Sequence, residues 1–313
     1  QLQVNLDMDA KSRTGKTPPR APRRPLTSIQ HGIARVDDYA WLRAENWQAV
    51  MRDPGALAPD IRAQLEAENA YTLGLMADTE ELQQQLFTEM KERIKEDDSS
   101  VPAPDGSFSY YTRFVTGGQH PLFCRLPRDG GDEQILIDGN ALAKDHAYFR
   151  ISNVAHSPDH RLIAYAVDTK GSEFSTVHVV EATTSAVIDS HIADNNGNFE
   201  WASDSRTLLY VWLDDEHRPR KVLSHAIGAD GQDALVHEQP DPAYFLGLSE
   251  TQSRRYLLLN ASDHETAEIR LVDTKDLSAA PRLVSAREPE HDYSVEHHDD
   301  RLFILTNSDG AED

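Results

Sequence analysis

The apolar residues of this chain follow two regimes, and the change between them sets the first expectation. From residue 59 to 95 they approximate helical spacing: Ile61, Leu65, Thr72, Leu75 and Met76, then Leu82, Leu86, Met90 and Ile94 at i, i+4, i+8 and i+12. Two helices are predicted, over 59–77 and 79–95, with Asp78-Thr-Glu-Glu81 as a capping box between them. A Leu and Met stripe at this spacing reads as core. From residue 107 the helical spacing disappears and short strand-like runs take over, at roughly 8–12-residue intervals.

Four of those runs share a cadence: Arg161-Leu-Ile-Ala-Tyr165, Arg206-Thr-Leu-Leu-Tyr210, Arg255-Tyr-Leu-Leu-Leu259 and Arg301-Leu-Phe-Ile-Leu305. The spacings are 45, 49 and 46 residues (206−161, 255−206, 301−255). Each run follows a polar turn, and an Asp comes after each: Asp168, Asp214, Asp263 and Asp309. Self-similarity at this period marks a repeat architecture. Other strands fill each interval to four per repeat, the blade of a β-propeller. The cadence is then the second strand, nearly continuously apolar because neighbouring blades cover both its faces. A sandwich lacks such a period, and a β-helix needs a shorter one. The fold class expected is mainly β: an incomplete propeller, of about four to five blades, preceded by a helical arm.

The domain boundaries follow. Residues 1–25 read as an extended leader, ending in Pro18-Pro-Arg-Ala-Pro-Arg-Arg-Pro25. Its arginines are expected to lie on the protein's own acidic surface. Residues 26–98 read as a helical arm with the aromatic motif around Tyr39, Trp41 and Trp47, and Asp37 or Asp38 as a cap. Residues 95–106, charged and then rich in Ser, Pro and Gly, read as a hinge. Residues 99–313 read as the propeller, which stops inside its fifth repeat and leaves an apolar blade face in water. The chain is therefore expected to be part of a longer protein, in keeping with its start at Gln1.

Charge narrows the partners. The net charge of −22 repels nucleic acid and anionic membranes, and neither is expected as a partner. No apolar run reaches the roughly 18 residues of a membrane span. The single Cys124 rules out an internal disulfide. It fits a reducing compartment, the cytoplasm, with the periplasm as the alternative.

Candidate chemistry is sparse. No G-x-S-x-G elbow, phosphate loop or dinucleotide fingerprint is present; Gly247-Leu-Ser249 lacks the second Gly and falls in a strand. The densest ligand cluster is His291 to Asp300, where Glu296, His298 and Asp300 share one strand face. It coincides with the polar turn of the repeat, so no metal and no other cofactor is assigned. No residue of the chain is assigned as catalytic.

One resemblance gathers these features. His31-Gly-x-x-Arg35-Val-Asp37-Asp38-Tyr39-x-Trp41-Leu42-Arg43, Ser224-His225-Ala-Ile-Gly228, Ala267 to Asp273, and His291-Asp-Tyr-Ser-Val-Glu-His297 with Arg301-Leu-Phe303 resemble the amino-terminal half of the prolyl oligopeptidase family of serine peptidases. Its oligopeptidase B (protease II) branch is the most similar. The resemblance implies a seven-bladed propeller that caps an α/β-hydrolase domain, with the arm packed on that domain. It implies a gate that admits short peptides, cleavage after Lys or Arg, and a Ser-Asp-His triad carboxy-terminal to Asp313. Partners would be short basic peptides and the chain's own carboxy-terminal hydrolase domain, and the chain alone would be inactive. The competing reading is a stand-alone propeller that binds proteins or peptides without catalysis.

Overall fold

A computed structural model describes residues 17–311. The part of the leader before Thr17 lies outside them. The chain divides into two compact units, residues 1–95 and 96–313.

The first unit opens with a hairpin where a helical arm was expected. Strands β1 (Leu26–Gln30) and β2 (Ile33–Asp37) pair antiparallel, Leu26 opposite Asp37. The connection is the two-residue turn His31-Gly32, both with positive φ, the geometry that matches strand twist. Helices follow: α1 (Trp47–Arg52), α2 (Pro59–Met76) and α3 (Glu80–Glu92). Asp37 accepts the Tyr39 N–H at 2.8 Å, but the 3-10 turn Ala40–Leu42 has no side-chain cap. The N-cap of α3 is Thr79, without a side-chain cap, and Asp78, expected to open the capping box, falls inside the 3-10 turn Ala77–Thr79. The Thr79 hydroxyl instead donates back to the Met76 carbonyl and accepts from Gln83. Two of the leader's arginines, Arg23 and Arg24, make contacts within this unit. Arg24 stacks 4.0 Å over Trp41 and pairs with Asp60 at 2.6 Å, and Arg23 pairs with Asp38 at 3.5 Å.

The apolar stripe of these helices is not core in this chain. Ile61 is buried, but Leu82, Leu86 and Met90 are 54%, 47% and 59% exposed. A stripe at helical spacing records that a face will be covered, and not by which part of a protein.

The second unit is a meander of antiparallel strands. The first blade is β3 (Ala103–Asp105), β4 (Phe108–Arg113), β5 (Leu122–Pro127) and β6 (Gln134–Asp138). Part of the expected hinge is therefore strand: β3 is an edge strand, where Pro104 costs no ladder bond. After a short helix α4 (Gly139–Ala143) come β7 (Arg150–His156), β8 (Leu162–Asp168), β9 (Ser175–Glu181) and β10 (Val187–Trp201). Strand β10 runs on as the innermost strand before β11 (Thr207–Leu213), β12 (Pro219–Ala226) and β13 (Ala234–Glu238). Two strands were expected over 186–202; one strand of 15 residues serves both blades, with register shifts where it changes partner from β9 to β11. The fourth blade is β14 (Phe245–Glu250), β15 (Tyr256–Ser262), β16 (Ala267–Asp273) and β17 (Arg282–Leu283), and β18 (Tyr293–His298) and β19 (Arg301–Thr306) begin the next.

The cadence strands are β8, β11, β15 and β19. The first three are buried between blades. Val177, Val179 and Ile192 pack with Phe199, Trp201, Leu208 and Tyr210, and Leu209, Val211 and Val222 pack with Leu246, Leu248, Leu257 and Leu259. In β19 Phe303, Ile304 and Leu305 are exposed instead. The Asp after each cadence closes a loop: Asp168 accepts the N–H groups of Lys170, Gly171 and Glu173, Asp214 those of Glu216 and Arg218, and Asp263 those of Glu265 and Thr266. Asp309 sits at φ 57° in a 3-10 turn, Ser308–Gly310, and among the described residues it closes no such loop.

Polar groups join the blades where apolar ones do not. His225 lies with Nε2 2.8 Å from the buried Asp189 and Nδ1 2.7 Å from Asp233. Carboxylates only accept, so both ring nitrogens carry hydrogen and the ring is an imidazolium. Burial works against that charge, but the two carboxylates raise its pKa above the ordinary value. Burial likewise opposes the Asp189 charge, yet the Gly228 N–H, His225 and the His191 N–H hold it at about 2. Tyr293 does similar service: its hydroxyl accepts from the Ile269 and Ser285 N–H groups and donates to the Ser285 carbonyl.

Two outcomes follow from this packing. Phe199→Ala, at a side chain with no exposure, should cost about 3–5 kcal/mol in urea unfolding. His225→Gln leaves two carboxylates without their cation and should cost about 3 kcal/mol. The raised pKa of His225 gives stability that is complete below its unfolded value of about 6.5 and is lost as pH rises through the folded value. The depressed pKa of Asp189 gives stability present above about 3.9 and lost as pH falls towards its folded value. The gap between wild type and His225→Gln in urea midpoint should therefore be widest between about pH 4 and 6.5 and shrink on the alkaline side.

Candidate functional site

The turns between the first and second strands of each blade gather at one end of the innermost strands. Each is a tight turn closed by a backbone bond, from His160 to Ser157, Ser205 to Ala202 and Arg254 to Thr251. The closing residues His160, Ser205 and Arg254 all have positive φ. Neighbouring blades are tied together here: the Asp159 N–H donates to Ser205 Oγ, and the Gln252 N–H to Glu296 in β18.

One ion pair ties blades remote in sequence. Arg254, from the fourth blade, grips Asp105 of the first through both its terminal nitrogens, at 3.0 and 2.6 Å. Burial opposes the Asp105 charge, but Arg254 outweighs it and the carboxyl lies below its usual range. His156 Nε2 stands 3.0 Å from the same carboxylate, and His160 Nδ1 2.8 Å from the Tyr110 hydroxyl. Two further carboxylates border this group. Glu250 lies 3.8 Å from Arg254, and Glu200 is pushed up to about 7 by burial and by the charge of Glu250.

A cleft of about 290 Å³ opens elsewhere on the same blades. Arg150, Ser152, Glu173, Asn196, His217 and Phe245 are among its lining residues. Its one Ser–Ser contact, Ser152 to Ser175 at 3.3 Å, includes no base. It can hold a ligand through mixed polar and aromatic contacts, and His217 stands there 3.7 Å from Glu173.

The residues singled out in the sequence fare differently. Glu296, His298 and Asp300 do not converge. Glu296 accepts from the Gln252 and His297 N–H groups, and His298 is exposed beside Asp299. Ser249 lies within β14. Cys124 is buried, and burial first of all pushes its thiol up to about 11, which makes it unreactive. Among the described residues the one Ser–His side-chain contact is Ser253 to His297 at 2.8 Å, on an exposed turn with no carboxylate orienting the ring.

The cluster of Asp105, His156, His160 and Arg254 escaped the sequence reading. His160 and Arg254 were visible only as turn residues, and Asp105 only as part of a hinge. The one signal available was their recurrence at the same place in the repeat, two of the turns carrying a titratable or cationic side chain where glycine or asparagine would be easier.

Comparison with known proteins gives this architecture its relatives. The chain matches the family described as prolyl oligopeptidase, N-terminal beta-propeller domain, over residues 18–313. It is 32% identical to dipeptidyl aminopeptidase BI of Pseudoxanthomonas mexicana, over 94% of this chain and 42% of that protein. It is 28% identical to protease 2 of Moraxella lacunata, over 92% of this chain and 42% of that protein. Oligopeptidase B of Leishmania major superposes with a TM-score of 0.84 at 27% identity, covering 94% of this chain and 43% of that one. The chain thus spans less than half the length of these relatives. The blade meander, the repeated turns and these matches lead to one conclusion: the chain belongs to the N-terminal β-propeller family of the prolyl oligopeptidases.

Proposed function

We propose that this chain is the gating portion of a serine oligopeptidase that cleaves short peptides after Lys or Arg. The observation that carries the reading is the extent of the likeness to oligopeptidase B: nearly the whole chain superposes, on less than half of that enzyme. In this reading a Ser-Asp-His triad and the acidic specificity pocket lie carboxy-terminal to Asp313, and acyl transfer takes place there. The propeller limits which peptides enter, and the junction between the two units at Lys95 and Glu96 serves as the hinge. The acidic balance of the chain favours cationic peptides in the encounter. The cytoplasm is the compartment proposed, in line with a single, buried cysteine; no helix among the described residues is long and apolar enough to cross a membrane.

The exposed stripe of α3 supports the arm's part in this arrangement. Leu82, Leu86 and Met90 present one face that the hydrolase domain would cover. Replacing Leu86 and Met90 together by Lys should leave the urea stability of residues 1–313 within about 0.5 kcal/mol. In the intact protein it should cost at least about 2 kcal/mol. Equal effects in the two would mean that the face stays in water.

The activity itself is tested with two substrates, an amino-blocked peptide amide ending in Arg and an unblocked dipeptide amide. The intact protein should cleave the first, and a serine-directed phosphonate should abolish the cleavage. Residues 1–313 alone should cleave neither. Turnover of the unblocked dipeptide only would replace the reading by dipeptide release, as the name of the Pseudoxanthomonas relative describes. Inhibitor-sensitive turnover by residues 1–313 would overturn it altogether.

A further inference from the structure

We propose that Asp105, His156 and His160 form a binding site for a divalent cation of the zinc type, where the first blade meets the second. Their candidate ligand atoms all lie within 4.8 Å of one another. A tetrahedral zinc ion, with bonds of about 2.0–2.2 Å, needs its ligand atoms about 3.3 Å apart. His156 Nε2 and Asp105 Oδ2 already stand at 3.0 Å.

The hydrogen bonds around the imidazoles point to a cation. His156 Nδ1 lies 2.9 Å from the Ser157 carbonyl oxygen. A carbonyl only accepts, so Nδ1 carries the hydrogen, and in the neutral ring Nε2 is a bare lone pair. That lone pair faces a carboxylate oxygen, which is also an acceptor. Two acceptors at hydrogen-bond distance require a proton or a metal ion between them. Burial lowers the proton affinity of His156; the Ser157 carbonyl and Asp105 oppose that shift, while His160 and Arg254 add to it.

The surroundings are those of a ligand set held in place. His160 Nδ1 is engaged by the Tyr110 hydroxyl at 2.8 Å, and His160 brings a ring nitrogen to the group. The Tyr110 ring also stacks on His156 at 4.0 Å and fixes its plane. Metal-bound histidines commonly have their second nitrogen tied in this way. Glycine at position 106 is required for the approach: a Cβ there would stand 2.3 Å from His160 Nε2. Two imidazoles and one carboxylate suit zinc better than magnesium or calcium. Arg254 is the opposing element. It orients the Asp105 carboxylate, which has about four acceptor positions, but its charge weakens the binding of any cation. Glu250, 3.8 Å from Arg254, offsets part of that charge.

The test uses Co²⁺ as a spectroscopic probe on the intact protein. One equivalent should bind with the absorption of tetrahedral cobalt, and Zn²⁺ should displace it. His156→Ala and His160→Ala should each weaken binding by at least about tenfold, and Tyr110→Phe, which keeps the ring stack, by about tenfold. Arg254→Met should tighten binding. His298→Ala, at the exposed turn, should change nothing. Acidification through the histidine range should release the metal, because a proton takes the Nε2 position. Tetrahedral binding that survives both histidine variants, or its absence in the wild type, overturns the site. Should the alanine variants lose their native circular dichroism, the ring nitrogens of the unmutated protein are followed by ¹⁵N-histidine NMR. Zinc should then move the two half-buried histidines of the cluster, and shifts confined to exposed histidines overturn the proposal.

Discussion

The burial of each second strand between two neighbouring blades is the interaction on which the rest of this structure depends. A single four-stranded sheet of this size has two apolar faces and no core of its own. Each face becomes stable only when the next blade covers it, so the unit behaves as an array of nearest-neighbour contacts. Leu208, Leu209, Leu257 and Leu259 have almost no exposure because a blade stands on each side. Phe303, Ile304 and Leu305 hold the same place in the repeat and are exposed, with no blade among the described residues covering them. The same sequence pattern gives opposite burial, decided by the neighbour alone.

That dependence explains why the polar links between blades recur where they do. Hydrophobic burial has no direction and cannot fix how far one sheet is rotated against the next. Hydrogen bonds and ion pairs can. Asn198 exchanges two bonds with the backbone of Leu248, at 2.8 Å each, and so sets the third blade against the fourth. His225, Asp189 and Asp233 fix strand β12 against the outer part of β10. The segments that carried the family resemblance, around His225 and Tyr293, prove to be these connectors. They were recognisable in the sequence because connectors demand particular atoms, whereas the apolar strands accept any side chain of suitable volume.

Much of the fold was therefore legible, and the failures have physical causes. The strands from β4 to β19 follow from apolar runs between polar turns, and both long helices follow from their spacing. The hairpin of β1 and β2 was hidden because all ten of its residues are exposed, so no buried face imposed an alternation. Strand β10 was divided into Ala186 to His191 and Gly197 to Ala202, although it is one strand that changes partner between them. The Asp105 cluster could not be read at all. Arg254 and Asp105 are 149 residues apart, and only the curvature of the array brings them together.

A repeat can conceal chemistry as well as reveal architecture. Polar turns at a fixed period look like solvent-facing punctuation, and most of these are: Asp204 accepts from Arg206 and Thr207 and only closes its own turn. Curvature, however, points the turns of successive blades at a common axis, so residues that are peripheral in each blade become neighbours in the assembly. His156, His160 and Arg254 are such residues. Each would be an unremarked surface group on an isolated sheet, and half-buried together they control one another's charge. The acid–base character of this end of the structure belongs to the arrangement of blades, not to any blade, and it would vanish if the same four strands were stacked in a straight array.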